Sequence, residues 1–282
     1  MKTFNKITET DPKSVMIVDS LNLAFRYKHA KAVDFAEDYM RTVDSLKKSY
    51  KCGKVIIAAD SGSSSYRKQL YPDYKQNRKD KFENQTQAEK EEFEAFFAEV
   101  QEILSRYEAD GVYPVIRFPG VEADDIAAYI VNKRKKFGID TIWLISSDRD
   151  WNLLVDEGVH QFSYVTRKEF TVDNWHEHYD YDRDSHISIK CLMGDSGDNV
   201  PGIPGVGPKR AVQLVQEYGT ALDIADAIPL SGKYKYIAAL NEFGADNIML
   251  NYKLMDLVTF CEEAIGEQNC HTINTILDEY MK

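Results

Sequence analysis

An α/β fold, with a central, mostly parallel sheet flanked by helices and an α-rich C-terminal part, is what the sequence predicts from three of its features. Short apolar runs each end in an acid, helix-like segments separate those runs, and beyond about residue 185 the pattern becomes mainly helical. The first run, Val15-Met16-Ile17-Val18, leads to Asp19, and the second, Val55-Ile56-Ile57-Ala58-Ala59, leads to Asp60. The third, Ile142-Trp143-Leu144-Ile145, leads through two serines to Asp148. Runs of four or five apolar, partly β-branched residues read as strands buried on both faces of a parallel sheet. Their acids then lie at the carboxyl ends of the strands, the edge where open α/β sheets place ligands.

Between the second and third strands, Phe93, Phe96, Phe97, Val100, Ile103, Leu104 and Tyr107 recur at helical spacing, with Glu91, Glu92, Glu94, Glu99 and Glu102 between them. The spacing predicts an amphipathic helix whose apolar stripe packs on the domain. A second helix is expected to start near Glu122, because Pro119-Gly120 breaks the chain and Ala123, Ile126, Ala127, Ile130 and Val131 give a buried face. The expected division is a core over residues 12–182 and a helical part over residues 183–282.

A chain of 282 residues admits one large domain or two smaller ones, and 43% apolar with 29% charged residues is enough to bury a real core. No window approaches the roughly 18 uninterrupted apolar residues of a membrane span. Val15–Val18 is too short for a signal-peptide core, so a cytoplasmic protein is expected. Cys52, Cys191, Cys261 and Cys270 show no Cys-x-x-Cys spacing and read as buried, reduced thiols rather than zinc ligands or a disulfide framework. His176 and His178, two apart in a polar stretch, read as solvated.

The net charge of −11 hides an uneven distribution. Nine acids fall into five clusters at the ends of apolar segments: Asp19; Asp60; Glu122, Asp124 and Asp125; Asp148 and Asp150; Asp195 and Asp198. Any one of them could cap a helix or shape a turn. Together at one sheet edge they would repel one another unless cations compensate. An all-oxygen donor set suits hard divalent cations, Mg²⁺ or Mn²⁺, and nine acids exceed the need of one ion, so two are expected. Setting these nine aside leaves 37 acids against 35 bases, with room for basic patches.

Two such patches are visible. From Tyr66 to Lys81, Arg67, Lys68, Lys75, Arg78, Lys79 and Lys81 face only Asp73 and Asp80, interleaved with Tyr66, Tyr71 and Tyr74. Bases and aromatics in this mixture hold phosphates and stack on nucleobases, and the segment follows the Asp60 strand end, where it would overhang a metal site. The second, Gly202-Ile203-Pro204-Gly205-Val206-Gly207-Pro208-Lys209-Arg210, precedes a helical pattern of Ala211, Val212, Leu214 and Val215. Its glycines permit close backbone approach, Pro208 suits a first helical turn, and the helix start offers free N–H groups to a phosphate, with Lys209 and Arg210 adding charge.

With these residues in place, the chain resembles the flap endonuclease or 5′-to-3′ exonuclease family, in particular its stand-alone bacteriophage members, from about Val15 to at least residue 240. The resemblance rests on Val18-Asp19, Ala59-Asp60, Tyr71-Pro72-Asp73-Tyr74-Lys75-Gln76-Asn77-Arg78, Gly120-Val121-Glu122-Ala123-Asp124-Asp125, Ser146-Ser147-Asp148-Arg149-Asp150-Trp151, Met193-Gly194-Asp195-Ser196-Gly197-Asp198-Asn199 and the Gly202–Arg210 segment, in that order. It implies a 5′-nuclease, PIN-like core, a mobile arch over about residues 66–108, and a helix–three-turn–helix element over about residues 190–220 that holds duplex and often a potassium ion. It implies that Asp19, Asp60, Glu122, Asp124 and Asp125 form a first metal group and Asp148, Asp150, Asp195 and Asp198 a second. Lys75 and Arg78 match residues that bind and polarise the scissile phosphate, with Tyr74 beside them. DNA contacts are expected from Arg67, Lys68, Tyr74, Lys75, Arg78, Gly205, Gly207, Lys209 and Arg210. Two positions depart from the family pattern: Ser20 and Arg149 stand where glycine is common. Were the glycine conformation left-handed, Arg149 would be strained there. No polymerase region follows, as in the phage members.

The expected chemistry is two-metal hydrolysis of a phosphodiester at 5′ flaps, junctions and 5′ ends of DNA, by a monomer acting in replication, with Asp148, Asp150, Lys75 and Arg78 catalytic. No helix that would read base sequence is evident, so shape and strand ends are expected to set specificity. An RNA–DNA hybrid remains open as substrate, because phosphate contacts do not distinguish RNA from DNA. A small-molecule phosphohydrolase would need an Asp-x-Asp on the first strand, where Asp19 is followed by Ser20-Leu21. A non-catalytic DNA-binding relative would have lost some of the nine acids.

Overall fold

The computed structural model describes residues 10–282. The three expected strands form: β1 (Asp11–Asp19), β2 (Cys52–Ala58) and β4 (Thr141–Ile145), with β3 (Val115–Ile116), β5 (Val159–Ser163) and β6 (Lys168–Phe170) completing one six-stranded sheet. The strand order is β3-β2-β1-β4-β5-β6, parallel throughout except for the β5/β6 pair. Val15 to Val18 are wholly buried, since β1 is central and covered on both faces. The order reverses direction between β1 and β4, which makes their carboxyl ends the crevice where open sheets bind ligands.

Helices cover both faces. α1 (Ser20–His29), α2 (Ala36–Ser49) and α5 (Gln87–Asp110) supply one apolar layer, in which Val43, Phe96, Val100, Ile103 and Leu104 pack on Met16, Val18, Val55 and Ile57. Phe97 leaves the expected stripe of α5 and is 40% exposed. Between β2 and α5 the basic segment folds as α3 (Ser65–Leu70) and α4 (Gln76–Glu83). The second layer uses α6 (Ala123–Lys133), whose Ile126, Ala127 and Ile130 bury against Val15, Ile17 and Leu144.

After β6 come α7 (Trp175–His178) and the helices α8 (His186–Met193), α9 (Pro208–Tyr218), α10 (Ala221–Ala227) and α11 (Lys235–Met255), which share an apolar cluster of their own. Packing does not follow the boundary expected at residue 183. The last two helices, α12 (Leu257–Ile265) and α13 (Glu267–Tyr280), return to the sheet, and Leu257, Cys261, Ile265, Ile273 and Leu277 join the α6 layer. The physical reason is coverage: α6 has only 11 residues, and the apolar side chains of α12 and α13 complete the layer it begins. All four cysteines are buried and free. Among the described residues no helix is long and apolar enough to cross a membrane.

Candidate active site

The carboxyl edge of β1, β2 and β4 opens into a cavity of about 460 Å³ lined by Asp19, Asp60, Asp124, Asp148, Asp150, Asp195 and Asp198, together with Lys75, Arg78 and Arg149. Local structure fixes several of these acids. Asp19 ends β1 and caps α1, accepting the Asn22 N–H at 3.0 Å, while the Ser146 hydroxyl donates to its second oxygen at 2.8 Å. Asp60 accepts the Ala123 N–H at the start of α6 at 2.8 Å, which ties the β2 end to the helix bearing Asp124. The Trp151 indole N–H holds Asp124. Asp148 accepts the Asp150 N–H at 2.9 Å, and Asp195 accepts those of Gly197 and Asp198 at 2.7 and 3.2 Å. Capping and turn shaping thus coexist with convergence on one cleft.

Charge is unevenly balanced there. Burial, with Asp60 and Asp148 nearby, pushes the Asp19 carboxyl up to about 8. Burial and its aspartate neighbours likewise raise Asp124, and burial raises Asp60 and Asp148. Burial opposes ionisation of Glu122 too, but Lys75 and Arg67 overcome it and hold that carboxyl below its ordinary value. Lys75 lies 2.8 Å from Glu122 and 3.7 Å from Asp198, and Arg78 pairs with Asp198. Lys75 is in the left-handed region, φ 56°, at the start of α4, and its backbone N–H donates to the Asp198 carbonyl at 2.9 Å. This clamps the basic segment to the acidic turn.

Three expectations need correction. Asp125 does not face the cleft: it is fully buried, and Arg67 donates two hydrogen bonds to its carboxylate at 2.7 and 2.8 Å. Arg67 is no phosphate contact, being 3% exposed with its remaining donors on Ser64, Glu122 and the Leu254 carbonyl. Tyr74, 3% exposed, cannot stack on a base, because its hydroxyl sits 3.0 Å from Glu122 and 2.8 Å from Asp198. Glu122 turns from the first cavity to a second of about 410 Å³, which shares Asp60, Lys75 and Arg78 with it and runs beneath Phe97, Val100 and Leu104 of α5. Lys68 is half-buried, its ammonium on the Pro72 carbonyl. Gly205, Gly207, Lys209 and Arg210 are exposed, well outside the cleft lining. Gly207 precedes α9 and Pro208 opens it, as expected. Gly205 has φ +78°, and a Cβ on Gly202 would lie 1.8 Å from the Met193 carbonyl oxygen, so both glycines are required by this turn. Arg149 has φ −74° and Ser20 no positive φ, so neither departure from the family glycine is strained.

The structure adds residues that the sequence did not single out. Lys190 of α8 pairs with Asp150 and lies 3.9 Å from Asp195, and Gln161 of β5 donates to the Ser146 and Asp148 carbonyls at 2.9 and 2.8 Å, holding the Asp148 loop. A lone lysine in α8 and a polar residue in a strand carry no pattern that sets them apart.

Two family models match, one described as the 5′-3′ exonuclease, N-terminal resolvase-like domain, over residues 14–180, the other as the 5′-3′ exonuclease, C-terminal SAM fold, over residues 182–275. This chain belongs to the 5′-3′ exonuclease family. Among its relatives, the flap endonuclease of Escherichia phage T5 is 39% identical over 274 residues, spanning 96% of this chain and 91% of that protein. Flap endonuclease Xni of Shewanella oneidensis is 29% identical over 253 residues, 86% of this chain and 89% of that one. Of solved structures, T5 5′-exonuclease with zinc bound superposes with a TM-score of 0.90 at 38% identity, covering 95% of this chain and all of that chain. A complex of T5 flap endonuclease with DNA and metal ions gives 0.89, with 95% and 99% covered. The exonuclease fold is thus present over nearly the whole chain.

Does the cleft fit divalent cations? Its donors are all oxygen, and burial, together with neighbouring carboxylates, raises the pKa values of four of its aspartates. Among the described residues no three His, Cys, Asp or Glu side chains form a group placed to hold one ion. A hard ion such as Mg²⁺ takes one or two carboxylates directly and keeps several waters, so the all-oxygen acidic lining fits it.

Proposed function

We propose that this enzyme hydrolyses phosphodiesters at 5′ flaps, single-strand/duplex junctions and 5′ ends of DNA, acting as a cytoplasmic monomer in replication, where RNA primers and flaps are removed. One observation carries the reading: seven aspartates from five separate segments converge on the sheet's switch point beside Lys75 and Arg78. Asp19, Asp60, Asp124 and Asp148, with Asp150, Asp195 and Asp198, would hold two Mg²⁺ or Mn²⁺ ions. Bound there, such ions supply a hydroxide nucleophile near neutral pH and stabilise charge on the phosphate and the leaving 3′ oxygen.

The protein's own groups do the rest. Lys75 and Arg78 border both cavities, so a strand crossing from one to the other passes them. They exchange Glu122 and Asp198 for the scissile phosphate and neutralise charge growing on it. Arg67 and Tyr74 are positioning residues that fix Glu122 and, through it, Lys75. Residues 12–182 then carry the chemistry, with residues 66–108 as the arch. Residues 183–282 supply the duplex grip, where the Gly202–Arg210 turn acts as part of a helix–three-turn–helix element that takes K⁺.

The test is cleavage of a labelled 5′-flap DNA with Mg²⁺ and with chelator. Metal-dependent release of the flap is expected; no cleavage with either Mg²⁺ or Mn²⁺ overturns the reading.

A further inference from the structure

Lys75, Arg78 and Lys190 at the cleft are each paired with an acid. Arg149 is exposed, and its guanidinium has no such partner among the described residues. Its side chain lines the main cleft and also a second cavity, of about 320 Å³, behind the Asp148 loop. The backbone beneath it is pinned: Asp148 accepts the Asp150 N–H across it, and Gln161 bonds the Asp148 carbonyl from below. An anchored cation with free donors thus stands between two cavities that share Ser147, Asp148 and Arg149 in their linings.

The cavity behind the loop is polar and built. Its floor is a hydrogen-bonded chain in which Asn152 donates to Gln161 at 2.7 Å and Ser163 to Ser147 at 3.0 Å. Its wall carries Lys168 and the His178 ring, which packs on Phe170 with centroids 4.2 Å apart. Asp148 and Glu177 are the acids facing it. With two acids beside the cations, a small free anion gains little there. A nucleotide held by the rest of its strand gains more, because its phosphate meets Arg149 and Lys168 while its flat base lies on the His178/Phe170 pair. The volume is at the lower end of the roughly 300–1,000 Å³ of ligand pockets, enough for one such unit.

We infer that Arg149 and the cavity behind it form a nucleotide subsite, taking the strand phosphate next to the one cleaved, on the side away from Lys75 and Arg78. The subsite rests on the functional reading above and refines it: it adds a contact that fixes strand register rather than chemistry.

The experiment is a binding cycle in Ca²⁺, using 5′-flap DNA that carries single methylphosphonates stepped through the cleavage region, with wild type, Arg149→Ala, Arg149→Lys and Lys168→Ala. At one position the neutral linkage is expected to weaken wild-type binding roughly tenfold, the size of one lost charge-assisted contact, and to weaken Arg149→Ala no further. Arg149→Ala should also lower the salt slope of log K by roughly 0.7 to 0.9, one phosphate's worth, which Arg149→Lys restores without restoring full affinity. Lys168→Ala should give a smaller loss at the same linkage. Losses that simply add at every position overturn the subsite. So does an Arg149→Ala protein that binds terbium more tightly with no phosphate coupling, since the guanidinium would then merely offset the acids. Wild type that cuts the unmodified flap in Mg²⁺ but shows no coupling defeats the subsite alone; wild type that neither binds nor cuts it defeats the functional reading as well.

Discussion

Asp19, Asp60 and Asp124 have no cation partner among the described residues, whereas Asp195 and Asp198 stand on a loop, Asp150 opens a short 3-10 helix after the Asp148 loop, and all three lie within 4 Å of Lys190, Lys75 or Arg78. The first three are set by strand ends and a helix start, and burial raises their pKa values. Asp148 belongs to a loop but behaves like them. One set therefore needs charge from outside and the other carries its own, which must be released or shared when metal and phosphate arrive. The core-built set is where metal binding and stability are coupled, and the loop-built set is where they are separable.

The largest expected effects break both sets at once. Asp148→Asn and Asp150→Asn should each lower cleavage roughly 10³-fold or more while changing DNA affinity in Ca²⁺ far less, as single-turnover rates and binding isotherms would show. Stability in chelator separates the sets. Asp19→Asn keeps an acceptor for Asn22 and removes the cost of burying that carboxyl, which must take up a proton on folding near neutral pH, so its Tm should rise. Asp150→Asn leaves Lys190 without its nearest partner, and its Tm should fall. A fall in both would mean that repulsion does not govern the core-built acids.

Next in size is Arg67→Ala, which leaves Asp125 buried and unpaired and should cost about 3–5 kcal/mol in denaturant unfolding. Combining it with Asp125→Leu should recover part of the loss, whereas additive damage would show that the pair is not coupled.

Lys75 and the exposed Lys209/Arg210 pair sharpen the comparison from the cation side. Lys75→Ala should mainly lower the single-turnover rate, and the double variant Lys209→Ala/Arg210→Ala should mainly raise Kd and reduce its salt slope by roughly one to two phosphates. If Lys75→Ala changed only affinity, its place between Glu122 and Asp198 would be structural.

The smallest effect lies outside both sets. Burial lowers the His186 pKa from 6.5 to about 4. The unfolded chain therefore binds this proton first, and the stability held by the neutral ring is complete above pH 6.5 and lost as pH falls toward 4. His186→Phe should shrink the drop in Tm between pH 7 and 4.5, and an unchanged drop would show that the acid clusters alone govern that range.

Strand ends were legible because apolar runs need no long-range information to be read, and the acids after them inherit their place from the sheet. Strand β5 was not, since His160 and Gln161 break its apolar pattern although Gln161 is buried and bonded. Asp124 and Asp125 read alike in sequence, but consecutive helical residues point about 100° apart, so one reaches the cleft and the other the core. Arg67 and Tyr74 looked like surface because their covers, Leu254 and Asp198, lie far along the chain. A basic, aromatic composition cannot tell a solvated loop from one roofed by distant segments.

The return of α12 and α13 to the sheet bears on how such a chain can be cut or recombined. Lys54 of β2 reaches the Tyr280 carbonyl, and the Val55 backbone N–H donates to the Tyr280 hydroxyl at 3.2 Å. A gene product stopped before Leu257 would uncover the α6 layer, so it should be insoluble rather than a smaller working nuclease. The two matched regions consequently share one packing layer, and a swap at residue 181 between relatives should succeed only if the donor's last helices fit the recipient's sheet.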